Sequence, residues 1–161
     1  MYFWENSPHR AHLYGQELKD RGDIKDPIVV GAAINLGHCL DLLDSEQIEL
    51  LRASYTALSN TLEKAGKPAL PKNSSGRVIE SPGDLLLRRR DCAVINFLHT
   101  QREVQNLKGF DSVRGVFWEG NPIYPTAGFN EKNHIQIAVR NPNCIKGYFW
   151  PLKENNSFYS V

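Results

Sequence analysis

The spacing of apolar residues changes once along this chain, near Gly109, and that change limits the architectures open to it. Before it, hydrophobic positions recur at helical intervals. After it they form short blocks between turn residues. Val113 to Trp118, His134 to Arg140 and Ile145 to Trp150 read as strands, separated by Glu119-Gly120-Asn121-Pro122, Thr126-Ala127-Gly128 and Asn141-Pro142-Asn143. Helices gathered ahead of strands predict an α+β fold, not the regular alternation of a parallel α/β sheet. With 161 residues, 41% of them hydrophobic, residues 1–161 suffice for one domain with its own core.

In the helical half, Ser7-Pro8 marks a helix start: Ser can cap free N–H groups and Pro tolerates the first helical position. Ala11, Tyr14 and Leu18 follow at helical spacing, and Arg21-Gly22 ends the run. Pro27 to Ile34 is continuous and β-branched, which predicts a strand buried on both faces. Asp44-Ser45-Glu46-Gln47 has the form of a capping box, with Gln47 reaching back to Asp44. Ile48, Leu51, Tyr55, Leu58 and Leu62 then share a face, and Gly66 stands where a left-handed C-cap belongs. Lys67 to Gly76 reads as a mobile surface loop. Ser81-Pro82-Gly83-Asp84 predicts a further helix that carries Leu86, Leu87, Cys92, Val94, Ile95 and Leu98 to about Val104.

A formal net charge of +1 gives no global argument for nucleic acid, anionic membrane or acidic substrates, though a local basic site stays open. Cys39, Cys92 and Cys144 form no C-x-x-C pair and sit among apolar neighbours, as small buried hydrophobes do. That usage suits a reducing cytosol. No signal-type h-region and no apolar run near the ~18 residues of a membrane span is visible, so a cytoplasmic protein with no membrane partner is expected.

Tyr2-Phe3-Trp4 puts an aromatic strand at residue two, where chains usually carry something polar and expendable. It suggests an internal strand of a larger domain whose first part lies outside this sequence. Tyr2 on the strand and Tyr14 on the helix after it can face one cleft and sandwich a flat heteroaromatic ring; alternatively both are core. His9, His12 and His38-Cys39 lack partners at metal-ligand spacing, so no metal site is expected. Arg88-Arg89-Arg90 fans around a helix and reads as a solvated face or as a nucleic-acid backbone contact. Gly31 to Gly37 lacks the dinucleotide-binding spacing, and no Ser sits in a nucleophile elbow.

The opening block, Tyr2-Phe3 followed by Ala11-His12-Leu13-Tyr14, and the closing block, His134-Ile135-Gln136-Ile137, together resemble ADP-ribosyltransferases of the poly(ADP-ribose) polymerase and diphtheria-toxin branch. A bacterial group with Val-Arg-Gly-Val-Phe-Trp-Glu-Gly, here Val113 to Gly120, is more similar still. The resemblance covers both ends of the chain but not Gly22 to Gly109. It implies a split, mostly antiparallel sheet with packed helices, N-terminally truncated because the family's first His-Gly strand would precede Tyr2. It also implies transfer of ADP-ribose from NAD to a protein or nucleic-acid acceptor, in a toxin or phage-defence role with an antitoxin or other partner protein. Tyr2 and Tyr14 would then stack on nicotinamide.

Gln136 stands where the family places its catalytic glutamate, and Glu131 is the nearest carboxylate, at the strand mouth. His134 shares a strand face with Gln136 and would address the ribose or the acceptor; the bland alternative is a strand histidine bonded to backbone. Glutamine can bond a ribose hydroxyl but cannot stabilise a developing cation as a carboxylate does. A non-catalytic binding or regulatory domain that keeps the fold is therefore the second expectation. In either case the His134–Arg140 strand should be central, with Ile135, Ile137 and Val139 packed on a helix.

Overall fold

A computed structural model describes residues 1–75 and 84–151. In chain order the elements are β1 (Tyr2–Trp4), α1 (Pro8–Asp20), β2 (Gly31–Ile34), β3 (Cys39–Asp41), α2 (Ser45–Lys64), α3 (Arg89–Val104), β4 (Ser112–Phe117), β5 (His134–Val139) and, after a 3-10 turn at Pro142–Cys144, β6 (Ile145–Phe149). The class is α+β, with a four-stranded sheet in the order β1-β5-β4-β3 and a two-stranded sheet of β2 and β6. Pairing is antiparallel except between β3 and β4, which run parallel.

β5 is paired on both sides, by β1 and by β4, which makes it the centre of the larger sheet as expected. Its pattern, His-Ile-Gln-Ile-Ala-Val, sends alternate residues to opposite faces. Ile137 and Val139 form one core with Cys144, against Phe3, Ile34, Leu36 and Ile145. Ala138 packs instead on the other core, made by Leu40, Leu98, Phe110 and Val113 with Leu50, Leu51 and Ile95 from the helices. The expected alternation is present, but the isoleucine face meets the β2–β6 sheet and not a helix. Helices cover the face that carries His134, Gln136 and Ala138. The reason is Ile34 and Ile145: their strands bring a second apolar surface that competes for the β-branched side.

α1 and α2 follow their caps. Ser7 Oγ accepts from the Arg10 N–H (3.4 Å), and Pro8 occupies the first turn. Asp44 accepts from the N–H groups of Glu46 (2.8 Å) and Gln47 (3.4 Å), and Gly66 takes φ +59 at the far end. The reciprocal half of the capping box is not made, because the Asp44 N–H already donates to Asp41 O (3.0 Å).

Two elements are shorter than expected. β2 begins at Gly31, where its register with β6 begins at Phe149; Pro27 to Val30 lie outside that ladder, with Ile28 70% exposed. α3 begins at Arg89 and not near Asp84; Ser81 to Gly83 lie outside the described residues. Leu87 instead exchanges backbone hydrogen bonds with Ser74 (2.8 and 3.0 Å), and the Asp84 carboxylate accepts from Gly120 N–H (3.1 Å). Leu86 and Leu87 are consequently exposed. Cys144 is buried and Cys39 half-buried, whereas Cys92 on α3 is exposed.

The residue at the start of α3, Arg88, contributes no side-chain cap. Asn73 from the preceding loop does so: its Oδ1 accepts from Arg90 N–H (2.8 Å) and Asp91 N–H (3.3 Å), and its Nδ2 donates to Asp91 (2.7 Å). Asn73→Ala should therefore cost about 1 kcal/mol in urea unfolding, the usual value of an N-cap. Lys72→Ala, beside it, should be close to neutral; equal losses for the two would remove Asn73 from the capping role.

Candidate functional site

The C-terminal end of β1, the first turns of α1, the end of β4 and the start of β5 converge on the helix-covered face. Trp4 lies directly opposite Gln136 in the β1–β5 ladder, and Phe117 opposite His134 in β4–β5. The Tyr14 ring packs on Trp4 with centroids 5.1 Å apart, and His134 lies 6.1 Å from Trp4. His134 stacks on Phe117 at 5.3 Å, and the Arg88 guanidinium covers Phe117 at 4.3 Å. An imidazole is thus held among aromatic faces, beside an amide on the same strand.

Beneath this cluster lies a buried ion pair. Arg10 and Glu119 are 7% and 8% exposed, and Arg10 Nη2 donates to Glu119 Oε2 at 3.3 Å. Arg10 Nη1 lies 3.5 Å from Glu17 Oε1, which Lys132 Nζ also approaches at 3.2 Å. Glu119 is held at the backbone: its N–H donates to Asn133 Oδ1 (3.3 Å), and its carbonyl accepts from Lys132 N–H (3.0 Å). Among the described residues, Trp4 Nε1 and Arg10 Nε are buried without a hydrogen-bond acceptor, and Arg10 Nη1 has only its ion-pair contact with Glu17. Unpaired buried donors are uncommon and costly, so one on each of two residues of one cluster marks it out. They match an acceptor-rich partner such as a carbonyl, hydroxyl or phosphate oxygen.

His134 Nδ1 lies 2.9 Å from Lys132 O. A carbonyl only accepts, so Nδ1 carries the hydrogen and the neutral ring keeps a lone pair on Nε2. Burial pushes the His134 pKa below the ordinary value, and Arg10 and Arg88 add to this, against the opposing Lys132 carbonyl and Glu119 carboxylate. At neutral pH the group is an uncharged acceptor.

The expected site residues distribute as follows. His134 and Tyr14 contact Trp4, and Gln136 is half-buried across the strand pair from it. Tyr2, 61% exposed, lies two residues from Trp4 on the same strand and so on the same face. Tyr14 packs on Trp4, at the other end of that strand. Glu131 is exposed on the β4–β5 connection, where its Oε2 accepts from Asn121 N–H (3.3 Å). The buried carboxylate of the cluster is Glu119. The residues alone gave Trp4, Arg10, Phe117 and Glu119 no site role; Trp4 stands in the opening aromatic block, and Phe117 and Glu119 lie inside the Val113–Gly120 block, which was the signal for them. Of the arginine run, Arg88 pairs with Asp91 (3.5 Å) and Arg90 Nε donates to Pro71 O (2.9 Å), which spends two of the three on structure. No group of three or more His, Cys, Asp or Glu among the described residues could hold a metal, and no described helix is long and apolar enough to cross a membrane.

A second polar cluster surrounds Phe110, at the opposite end of β5. His38 stacks on Phe110 at 4.5 Å, His99 meets its edge at 5.7 Å and Arg102 covers it at 4.7 Å. Asp111 ties the neighbouring loops together, accepting from His38 N–H (2.9 Å), Asn141 Nδ2 (2.8 Å) and Lys108 Nζ (3.2 Å). These bonds, that from Asn141 first, hold its carboxyl down at about 2. Gly37 is required here, since its φ is +62 and a Cβ would lie 2.6 Å from Asp111 Oδ2.

Burial, then the Arg140, Arg102 and His38 charges, lower His99 to about 4. With a folded pKa below the unfolded one, the unfolded chain binds the extra proton first on acidification. Stability should therefore fall as pH drops from about 6.5 to about 4, by on the order of 1–2 kcal/mol for His99 after allowance for its partial exposure. His134 acts in the same direction. Urea unfolding at pH 7.5 and 4.5 measures this, and His99→Gln should flatten the slope; an unchanged slope refutes the assignment.

Compared with family models, curated proteins and solved structures, the chain finds no match.

Proposed function

We propose that this chain binds NAD at the Trp4–Tyr14–His134–Gln136 cluster and transfers its ADP-ribose to a macromolecular acceptor, protein or nucleic acid. The observation that carries the reading is the β1–β5 register. The opening and closing blocks lie at opposite ends of the chain, yet Trp4 and Gln136 are neighbours in one ladder and Tyr14 packs on the same aromatic ring. Residues that resembled one site in sequence meet in space, which is what a shared site requires.

In this reaction the C1′–N bond between ribose and nicotinamide breaks, and its electron pair leaves with the pyridinium, which becomes neutral nicotinamide. Positive charge passes to the ribose, the acceptor's nucleophile bonds to C1′, and that nucleophile loses its proton. Tyr14 and the Tyr2–Trp4 row supply flat faces for the ring, at roughly 0.5–1.5 kcal/mol per aromatic pair. The Gln136 amide addresses a ribose hydroxyl, and the lone pair on His134 Nε2 accepts a proton or hydrogen bond from ribose or acceptor.

Incubation with NAD labelled in its adenylate half, together with a cell lysate, should transfer label to protein or nucleic acid and release nicotinamide. Neither product at micromolar protein would rule out transfer.

One observation favours the second reading, a binding domain without catalysis. The cluster's buried carboxylate, Glu119, is paired with Arg10, and Gln136 carries no charge, so cation stabilisation would rest on neutral groups. NAD binding without nicotinamide release is the result that selects it.

A further inference from the structure

At the end of β5 remote from His134, a cavity of about 600 Å³ opens between the last turn of α3, the loop before Phe110 and the corner leading to β6. Its volume lies within the roughly 300–1,000 Å³ of small-molecule sites. His99, Glu103, Leu107, Phe110, Arg140 and Asn141 line it. His99 Nε2 is buried and has no hydrogen-bond partner among the described residues. Arg140 is exposed, and of its five donors Nη1 is bonded to Asn96 Oδ1 at 3.3 Å. Lys108 is engaged by Asp111, and Arg102 Nε donates to Lys108 O at 2.7 Å.

We propose that this cavity binds a phosphorylated ligand of nucleoside size, with the phosphate on Arg140, beside the His99 ring, and hydroxyl or amino donors on Glu103. Each wall group excludes a simpler occupant. A guanidinium matches phosphate oxygens in paired geometry, so an uncharged nucleoside forgoes the strongest contact. The Glu103 carboxylate accepts only, so it repels bare phosphate and favours a ligand that also brings donors. Leu107, Phe110 and Pro142 give an apolar wall for a sugar or ring. His99 stays neutral at physiological pH because it is buried near Arg140 and Arg102, so it borders the phosphate without adding charge and reports on an occupant of the cavity it lines. The site is independent of the NAD reading, since it stands at the other end of β5 from His134.

The test is a titration of isotope-labelled protein with adenosine monophosphate, followed at the imidazole resonances of His99 and His134. A saturable shift at His99 is expected, with Arg140→Gln weakening binding by about tenfold or more, as loss of a charge-assisted contact does. Inorganic phosphate and adenosine should each bind more weakly than the nucleotide. Glu103→Gln, a change on the exposed rim, should bring nucleotide and phosphate affinities closer together. The proposal is overturned if His99 shows no saturable shift, if only His134 responds, if Arg140→Gln leaves the affinity unchanged, or if phosphate or adenosine alone binds as tightly.

Discussion

Glu119→Ala should lower the unfolding free energy by about 3 kcal/mol, the lower end of the cost of breaking a buried ion pair. The change leaves Arg10, 7% exposed, with its charge out of water and its nearest carboxylate gone. Glu17 at 3.5 Å and the Tyr14 face at 5.9 Å recover part of the loss, which is why the upper end is not expected. Arg10→Met in the same background removes the stranded charge and should restore most of the stability, because the penalty belongs to the unpaired partner and not to the missing contact. Urea unfolding of the two single variants and the double gives the cycle. A loss below about 1 kcal/mol for Glu119→Ala, or strict additivity in the double, would contradict the burial and pairing described. The same variant should disturb His134, whose neighbouring charges are Glu119, Arg10 and Arg88.

If the proposed transfer reaction takes place, Gln136→Ala should reduce the rate of nicotinamide release by about 10²-fold or more while changing NAD affinity much less. A donor that acts in the transition state is worth about that much, and 10²-fold corresponds to about 2.7 kcal/mol of barrier. Gln136 lies at the centre of the sheet, opposite Trp4 on one side and Gly115 on the other, so the truncation removes an amide without opening a terminus or loop. Tyr14→Ala should show the opposite pattern, weaker binding with a smaller effect on the rate of bound NAD, because it loses a stacking face. Gln136→Glu separates the two readings. A wild-type chain that binds NAD and does not cleave it, and that gains cleavage with a carboxylate here, is a binding domain; a wild-type chain that already cleaves NAD and passes the label to an acceptor is a transferase.

Much of this architecture was legible in the residues. Ser7-Pro8, Asp44 and Gly66 located α1 and α2 because capping is local chemistry and depends on few neighbours. The alternation in His134 to Val139 gave β5 and its two faces. What covers each face was not legible, since that depends on which distant strand arrives, and β2 with β6 arrived on the isoleucine side. The start of α3 was misplaced for a related reason: its cap, Asn73, lies well upstream, and Leu87 is committed to Ser74.

At the candidate site, the two blocks that carry the resemblance singled out Tyr14, His134 and Gln136; Tyr14 and His134 both contact Trp4, and Gln136 lies opposite it in the β1–β5 ladder. Trp4 was hidden because a third aromatic beside Tyr2 and Phe3 looks like core. Glu119 was hidden because a carboxylate after Phe117-Trp118 in a Gly-Asn-Pro turn looks solvated. Only the fold shows that Arg10 reaches it.

The most direct measurement is a titration of the protein with NAD, read by calorimetry and by the indole N–H resonance of Trp4 together with the imidazole of His134. The account predicts a saturable heat and concerted shifts at both groups, since Trp4 Nε1 is a buried donor without an acceptor and His134 lies 6.1 Å from the same ring. Absence of both the heat and the shifts at millimolar NAD would contradict it.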